Sequence, residues 1–159
     1  IDRNKTILIG SSAGAEAVLN TVFLKNHHLF RKLPYGPFQF AGVISFAGAV
    51  IDVSYITKNT AVPTLLFHGK KDKLVPYATA AHHYCPNDSA GYLILHGSES
   101  IVKKLNALKV PHTFYMDPHG NHDWANKPYA MVNQISMFLF DLVLQSKQKT
   151  TIVQITPDP

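Results

Sequence analysis

Short apolar runs alternate with helix-like stretches along most of this chain. The apolar runs predict four β-strands, at residues 6–9, 40–46, 64–68 and 113–116. Helical spacing of apolar residues, or Ser or Pro at a first turn, predicts helices at residues 13–24, 76–83, 98–108 and 128–145. Strands that alternate with helices are typical of an α/β fold, in which a mostly parallel sheet is flanked by helices.

The segments between these elements are predicted to be irregular. Residues 27–37 contain two prolines and a glycine and predict a loop, and residues 85–97 show no regular period. Residues 1–146 are predicted to form a single domain, because a chain of 159 residues suffices for one domain of ordinary size but not for two. Residues 147–159 are predicted to form a loose tail or a segment that adds to the edge of the sheet.

The composition excludes several classes of protein. Hydrophobic residues make up 46% and charged residues 16%, which is typical of a globular domain and not of a disordered chain. The net charge of +5 comes from scattered basic residues without the basic stripe of a nucleic-acid reader, so we expect no nucleic-acid partner. The single cysteine, Cys85, excludes an intrachain disulfide and a cysteine-based zinc site. No apolar run reaches the roughly 18 residues that a membrane-spanning helix needs, so we expect no membrane span.

The most informative motif lies between the first predicted strand and the first predicted helix. The segment Gly10-Ser11-Ser12-Ala13-Gly14 fits the pattern Gly-x-Ser-x-Gly in the strand-to-helix context that this pattern requires. A serine raised above a sheet needs a very sharp turn, with strained backbone at Ser12. Strand and helix then nearly touch, so we expect Gly10 and Gly14 to be needed for their lack of bulk. The N–H of Ala13 would bind an oxyanion, although the same segment also fits a small-residue turn in an ordinary α/β unit.

A serine nucleophile needs a base that takes its proton and an acid that orients the base. Asp72 follows the third predicted strand, and His122 follows the fourth. The carboxyl ends of parallel strands meet at one edge of a sheet, where the sites of α/β proteins assemble. The order Ser12, Asp72, His122 along the chain is the order expected after a Gly-x-Ser-x-Gly turn.

Other residues compete for these roles. Asp52 follows the second predicted strand, Asp117 ends the fourth, and Asp88 lies in an irregular segment, so each is an alternative acid. His119 shares a loop with the preferred histidine and is the alternative base. His68 is predicted to pack or to hydrogen-bond near the acid loop.

Metal binding is the main rival interpretation of these residues. Two clusters of potential ligands lie in predicted loops: His119, His122 and Asp123 in one, and His82, His83 and Cys85 in the other. Neither cluster has the i, i+4 histidine spacing of helical zinc proteases. We therefore expect no metal, and serine chemistry of this kind requires no organic cofactor.

Three segments carry a resemblance to a known family: Gly10-Ser11-Ser12-Ala13-Gly14; Pro63-Thr64-Leu65-Leu66-Phe67-His68-Gly69 leading to Asp72 and Val75-Pro76; and Gly120-Asn121-His122. In this order they resemble the α/β-hydrolase family, specifically its carboxylesterase and lipase-like branch. The resemblance implies that Ser12 is the nucleophile, Asp72 the acid and His122 the general base. It implies a serine hydrolase that cleaves carboxylic esters. We expect short-chain or carbohydrate-linked acyl groups, because the sequence shows no long apolar lid segment. A serine peptidase of the same fold and a non-catalytic binding module remain alternatives.

The chain also departs from the family pattern. Such domains carry about eight strands, with the serine turn after the fifth, and this sequence predicts only the fifth to the eighth. The early strand and the loop that supply a second oxyanion donor are therefore missing from the prediction. Because the chain begins with Ile1 shortly before a buried strand, we expect it to be the C-terminal portion of a longer hydrolase, with the N-terminal half as its partner. For its compartment, we expect secretion or the periplasm rather than the cytoplasm.

The substrate pocket is predicted to lie between residues 49–59 and residues 85–97. Residues 49–59 follow the second predicted strand. The aromatic candidates for its lining are Tyr55, Tyr84, Tyr92 and Trp124.

Overall fold

The computed structural model describes residues 2–30 and 38–155. In this part of the chain the strands are β1 (Ile7–Ser11), β2 (Gly42–Phe46), β3 (Ala49–Val50), β4 (Thr64–Gly69), β5 (Thr79–Ala81), β6 (Ile94–Gly97), β7 (His112–Asp117) and β8 (Thr150–Gln154). The main sheet has the order β1-β2-β4-β7-β8, and every neighbouring pair in it is parallel. The prediction of a mostly parallel α/β sheet is confirmed.

Helices cover both faces of this sheet. They are α1 (Ala13–Phe23), α2 (Ser98–Leu108) and α3 (Val132–Phe138), the last continuing as π-helical turns over Leu139–Leu144. One buried core joins α1 and α2 to the sheet, and a second core joins α3 and the π-helical turns to the opposite face. Because side chains alternate between the faces of a strand, neighbours such as Val43 and Ile44 enter different cores, which explains the continuous apolar run of β2.

The main sheet has one strand more than the predicted four. The additional strand is β8, which pairs with β7 through residues that the sequence assigned to a loose tail or an edge segment. Of the two predictions for the tail, a loose segment or a segment that adds to the edge of the sheet, the structure shows the second over Thr150–Gln154. Residues 156–159 lie outside the described part of the chain. The polar, β-branched sequence of this segment suits an edge strand, because only one of its sides needs a partner.

The predicted helix at residues 76–83 is wrong. The structure has β5 followed by a 3-10 turn at His82–Tyr84, and β6 occupies the end of the segment that was predicted to be irregular. Strands β3, β6 and β5 form a small antiparallel sheet in that order. This pairing joins residues far apart in the sequence, so tertiary contacts override the local preference.

Two further segments differ from the sequence prediction. Residues 128–145 form a 3-10 turn at Lys127–Ala130, then α3 and the π-helical turns, rather than one continuous helix. The predicted loop at residues 27–37 includes a 3-10 turn at His28–Phe30, and residues 31–37 lie outside the described part. None of the described helices is long and apolar enough to cross a lipid bilayer.

Strand β1 lies at one edge of the main sheet. Its only neighbour among the described strands is β2, and the side chain of Ile9 is 51% exposed. Because β1, β4 and β7 run parallel in the sheet, their carboxyl ends all lie on one side of it, the side at which the strands end. Ser12, Asp72 and His122, the residues of interest in the three segments that resemble hydrolase motifs, follow these three ends.

Candidate active site

Ser12 lies in the turn between β1 and α1. Its backbone has φ 52° and ψ −123°, a conformation that is disfavoured for a residue with a side chain. Two backbone hydrogen bonds hold it there: the Ser12 N–H donates to the Phe46 carbonyl at 2.9 Å, and the Ser12 carbonyl accepts from the Glu16 N–H at 3.0 Å. Strain of this kind is concentrated at functional sites.

The glycines of the Gly-x-Ser-x-Gly motif have different roles. A Cβ at Gly10 would collide with the backbone of Gly14 and with the Ala15 nitrogen, so strand and helix approach each other at this position. The prediction that Gly14 must lack a side chain for steric reasons is wrong, because a Cβ there would meet no described atom within 4 Å. A second crowded position is Gly48, between β2 and β3, where a Cβ would lie 2.6 Å from the Ala15 Cβ of α1. The close approach therefore needs Gly10 and Gly48.

The structure brings Ser12, His122 and Asp72 into one hydrogen-bonded chain. The Ser12 Oγ lies 2.8 Å from the His122 Nε2, and the His122 Nδ1 lies 2.8 Å from the Asp72 Oδ2. A carboxylate only accepts hydrogen bonds, so the neutral imidazole carries its proton on Nδ1 and donates it to Asp72. The Nε2 lone pair then accepts the hydrogen bond of the Ser12 hydroxyl.

Asp72 is buried, with 2% of its surface exposed, and it is surrounded by donors. Its Oδ1 accepts hydrogen bonds from the backbone N–H groups of Leu74 at 2.8 Å and Val75 at 3.0 Å. Burial acts to raise the pKa of Asp72, but the hydrogen bonds from His68, His122 and the Leu74 amide outweigh it and hold the pKa below its usual range. Asp72 is therefore ionised at neutral pH.

His68 supports Asp72 from the interior. Its fully buried ring places Nε2 3.3 Å from both the Asp72 Oδ2 and the Val75 carbonyl, and Nδ1 2.8 Å from the Ser98 Oγ. Both neighbours of Nε2 are acceptors, so Nε2 carries the proton and the Ser98 hydroxyl donates to Nδ1. The prediction that His68 hydrogen-bonds near the acid loop is confirmed. The sequence did not reveal its link to Ser98, because the two residues are distant in the chain.

Close backbone packing joins the acid loop to the histidine loop. The N–H of Lys70 donates to the Asp117 carbonyl, and the N–H of Lys71 donates to the Gly120 carbonyl, both at 2.8 Å. A Cβ at Gly69 would collide with the backbone of Gly120 and Asn121. This approach allows the carboxylate of one loop to reach the imidazole of the other.

The alternative acids have other contacts. Asp117 accepts hydrogen bonds at 2.8 Å from the Trp124 Nε1 and from the His119 backbone N–H, so it fixes the histidine loop. Burial acts to raise the pKa of Asp117, but these hydrogen bonds lower it. Asp52 accepts from the Ser54 N–H at 2.7 Å and begins a 3-10 turn. The alternative base, His119, is exposed.

Two other candidates have clear positions in the structure. Trp124 is 4% exposed and stacks on Phe67, so it belongs to the core and does not line a pocket. Ala13 is the first residue of α1, where N–H groups have no partner inside the helix. Within residues 2–30 and 38–155, no group of three or more His, Cys, Asp or Glu side chains is arranged to hold a metal ion.

No protein-family model matches this sequence, and no curated protein is detectably similar to it. Among solved structures, the chain is similar to esterase B from Lactobacillus Rhamnosis (HN001), with a TM-score of 0.55 and 14% sequence identity. The match covers 91% of this chain and 55% of that chain, so this chain spans about half the length of the esterase. At this identity the likeness establishes the fold, a mostly parallel sheet flanked by helices that is consistent with the α/β-hydrolase fold.

Proposed function

We propose that this chain carries the catalytic residues of a serine hydrolase that cleaves carboxylic esters of short-chain or carbohydrate-linked acyl groups. The main support is the hydrogen-bonded chain from the Ser12 hydroxyl through His122 to the buried Asp72. A serine beside an oriented, neutral imidazole is the arrangement that activates a hydroxyl for attack on a carbonyl. The disfavoured backbone of Ser12 and the likeness to an esterase fold point in the same direction.

The first half of the reaction forms an acyl-enzyme. The Ser12 Oγ attacks the ester carbonyl carbon, and its proton moves to the His122 Nε2. Asp72 remains ionised and stabilises the imidazolium through the hydrogen bond to Nδ1. The tetrahedral intermediate then collapses, the ester C–O bond breaks, and His122 gives the proton to the departing alcohol.

The second half of the reaction releases the acid. A water molecule gives a proton to the His122 Nε2 and attacks the acyl carbonyl. The Ser12 ester bond breaks, and the proton returns from His122 to the Ser12 Oγ. This chemistry requires no metal or organic cofactor.

The oxyanion needs hydrogen-bond donors at the start of α1. The Ala13 N–H is one donor, because it lies next to Ser12 and has no partner inside the helix. We place the second donor in an N-terminal half of the same protein, packed beside β1. Two observations support this placement: among the described strands β1 lies at the edge of the sheet, with an exposed Ile9, and the chain spans 55% of the similar esterase.

The proposal is tested with the full-length natural protein and p-nitrophenyl acetate. We expect Ser12→Ala to abolish ester hydrolysis, and Ser54→Ala, which changes an exposed serine, to leave it intact. If Ser12→Ala retains the wild-type rate, the assignment of the nucleophile is wrong. Faster cleavage of matched peptide amides than of esters would instead identify a peptidase.

A further inference from the structure

Glu16 lies on α1, one turn after Ser12. Residues four apart share a helix face, and helical side chains lean toward the N-terminus, so the Glu16 carboxyl is directed toward the Ser12 end of the helix. The charges of His122 and Asp72 both act on the pKa of Glu16. The carboxyl group therefore lies on the helix turn next to Ser12, whose carbonyl accepts the Glu16 backbone N–H, although the mechanism does not use this side chain.

One oxygen of this carboxyl group is buried without a hydrogen bond. Among the described residues, the Glu16 Oε1 has no hydrogen-bond partner. The His82 Nε2 lies 3.3 Å from it, and both side chains are partly open to solvent, at 32% for His82 and 19% for Glu16. Burial raises the pKa of Glu16, against the opposing effect of the neighbouring histidines. A buried carboxylate oxygen that no N–H or O–H group donates to is uncommon in folded proteins, and it can still accept a hydrogen bond from a ligand hydroxyl.

His82, which faces Glu16, and His83, whose ring centroid lies 4.1 Å from that of His82, are held by an unusual backbone. His83 and Tyr84 have positive φ values of 55° and 51°, a conformation that is uncommon for two successive residues with side chains. The N–H of His82 donates to the Leu93 carbonyl at 2.8 Å, and the N–H of His83 donates to the Leu74 carbonyl at 2.9 Å. Leu74 belongs to the acid loop, where its own N–H holds Asp72. This segment is therefore fixed directly to the site.

We propose that Glu16, His82 and His83 form a polar subsite that binds hydroxyl groups of a sugar in the alcohol part of the ester. The inference rests on the proposed function and narrows its substrate class. A carboxylate oxygen accepts a hydrogen bond from a hydroxyl, and an imidazole can donate one and accept one, so together they match a polyol. The sugar is assigned to the alcohol part because the proposed function already takes carbohydrate-linked acyl groups, in which the sugar is the alcohol.

The test compares two acetate esters in the full-length natural protein. One is a mono-acetylated methyl glucoside, and the other is p-nitrophenyl acetate, whose leaving group has no hydroxyl donor. We expect Glu16→Ala to lower kcat/KM for the sugar acetate by roughly 10- to 100-fold, the effect of losing a hydrogen bond to a charged group. We expect a smaller loss on p-nitrophenyl acetate, which does not use the subsite, so that the ratio of kcat/KM on the sugar acetate to kcat/KM on p-nitrophenyl acetate falls.

Two further variants serve as controls. Glu16→Gln keeps an acceptor oxygen, so we expect a smaller loss on the sugar acetate than with Glu16→Ala. Glu99→Gln changes a carboxylate on α2 that pairs with Lys103 at 2.8 Å, and we expect no change in the ratio of the two activities. Thermal denaturation establishes that each variant is folded.

Several results would overturn the inference. Equal losses on both esters would assign Glu16 to the chemistry or to the fold, and no loss on either would remove it from the site. A wild-type preference for acetylcholine that disappears in Glu16→Gln would identify a cationic alcohol instead of a sugar.

A binding measurement separates this inference from the proposed function. Titration calorimetry of Ser12→Ala with the sugar acetate does not depend on turnover. We expect binding that weakens when Glu16→Ala is added. Binding without turnover in the wild-type protein would contradict the proposed esterase and retain the subsite. Absence of binding would contradict the subsite alone, provided that p-nitrophenyl acetate is hydrolysed.

Discussion

Replacing Asp72 by Asn tests how the hydrogen-bonded chain works. The Asp72 Oδ1 accepts from the N–H groups of Leu74 and Val75, so the amide oxygen of the variant must take this position. The amide NH₂ then takes the place of Oδ2, opposite the His122 Nδ1. Because NH₂ only donates, the imidazole must accept at Nδ1 and carry its proton on Nε2. Its protonated nitrogen then faces the Ser12 Oγ, 2.8 Å away, and cannot take a proton from it.

The expected loss is large because the wrong tautomer removes the base. In a serine protease, the corresponding change lowers kcat by about 10⁴-fold, which is about 5 kcal/mol in the activation barrier. We expect a loss of this order for Asp72→Asn, measured as kcat for p-nitrophenyl acetate in the full-length natural protein. Asp52→Asn is the matched control, because an Asn oxygen can still accept the hydrogen bond of the Ser54 N–H. We expect that variant to keep wild-type kcat.

A loss of less than about ten-fold in folded Asp72→Asn would refute this reasoning. It would mean that His122 does not depend on Asp72 for its tautomer. A large loss in Asp52→Asn would identify the alternative acid instead. Circular dichroism and thermal denaturation would establish that both variants are folded.

Three further predictions concern the framework of the site. Gly10→Ala should lower the free energy of unfolding by about 1–3 kcal/mol or more, because its Cβ would meet the neighbouring helix backbone. Gly14→Ala should leave the free energy of unfolding nearly unchanged. Equal effects of the two substitutions in denaturant titrations would contradict the packing described above. Ser98→Ala should cost about 1–3 kcal/mol in the same measurement, because it leaves the buried His68 Nδ1 without a donor, and a neutral effect would exclude that hydrogen bond. Burial lowers the pKa of His112, so the unfolded chain binds the proton first and the free energy of unfolding should fall as the pH drops below about 6.5. His112→Gln should reduce this loss, and an unchanged pH dependence would show that His112 does not cause it.

The main sheet could be predicted from the sequence because its signal is local. Strands β1, β2, β4 and β7 are short runs rich in apolar residues, of which β2 and β4 are buried on both faces, and such runs are recognisable without knowing their partners. The positions of Ser12, Asp72 and His122 follow from the same pattern, because each lies just after the end of a parallel strand. Their convergence needed only the rule that such ends share one edge.

The parts that the sequence did not predict depend on distant contacts. Strand β5 is held by pairing with β6, and neither segment has a clear period of its own. The hydrogen bond from Ser98 to His68 and the approach of His82 to Glu16 likewise join residues that are remote in the chain. The steric role of Gly14 could not be predicted for a different reason. The motif shows that a glycine occurs at this position, but only the structure shows whether a larger side chain there would contact a neighbour.

Covalent labelling tests the identity of the nucleophile most directly. A fluorophosphonate reacts with an activated serine hydroxyl, and digestion followed by mass spectrometry identifies the modified peptide. We expect a single adduct on Ser12, lost when His122 is replaced by Ala, because the imidazole must take the proton of the hydroxyl. Absence of labelling in the folded, full-length protein, or an adduct on Ser11 instead, would contradict it.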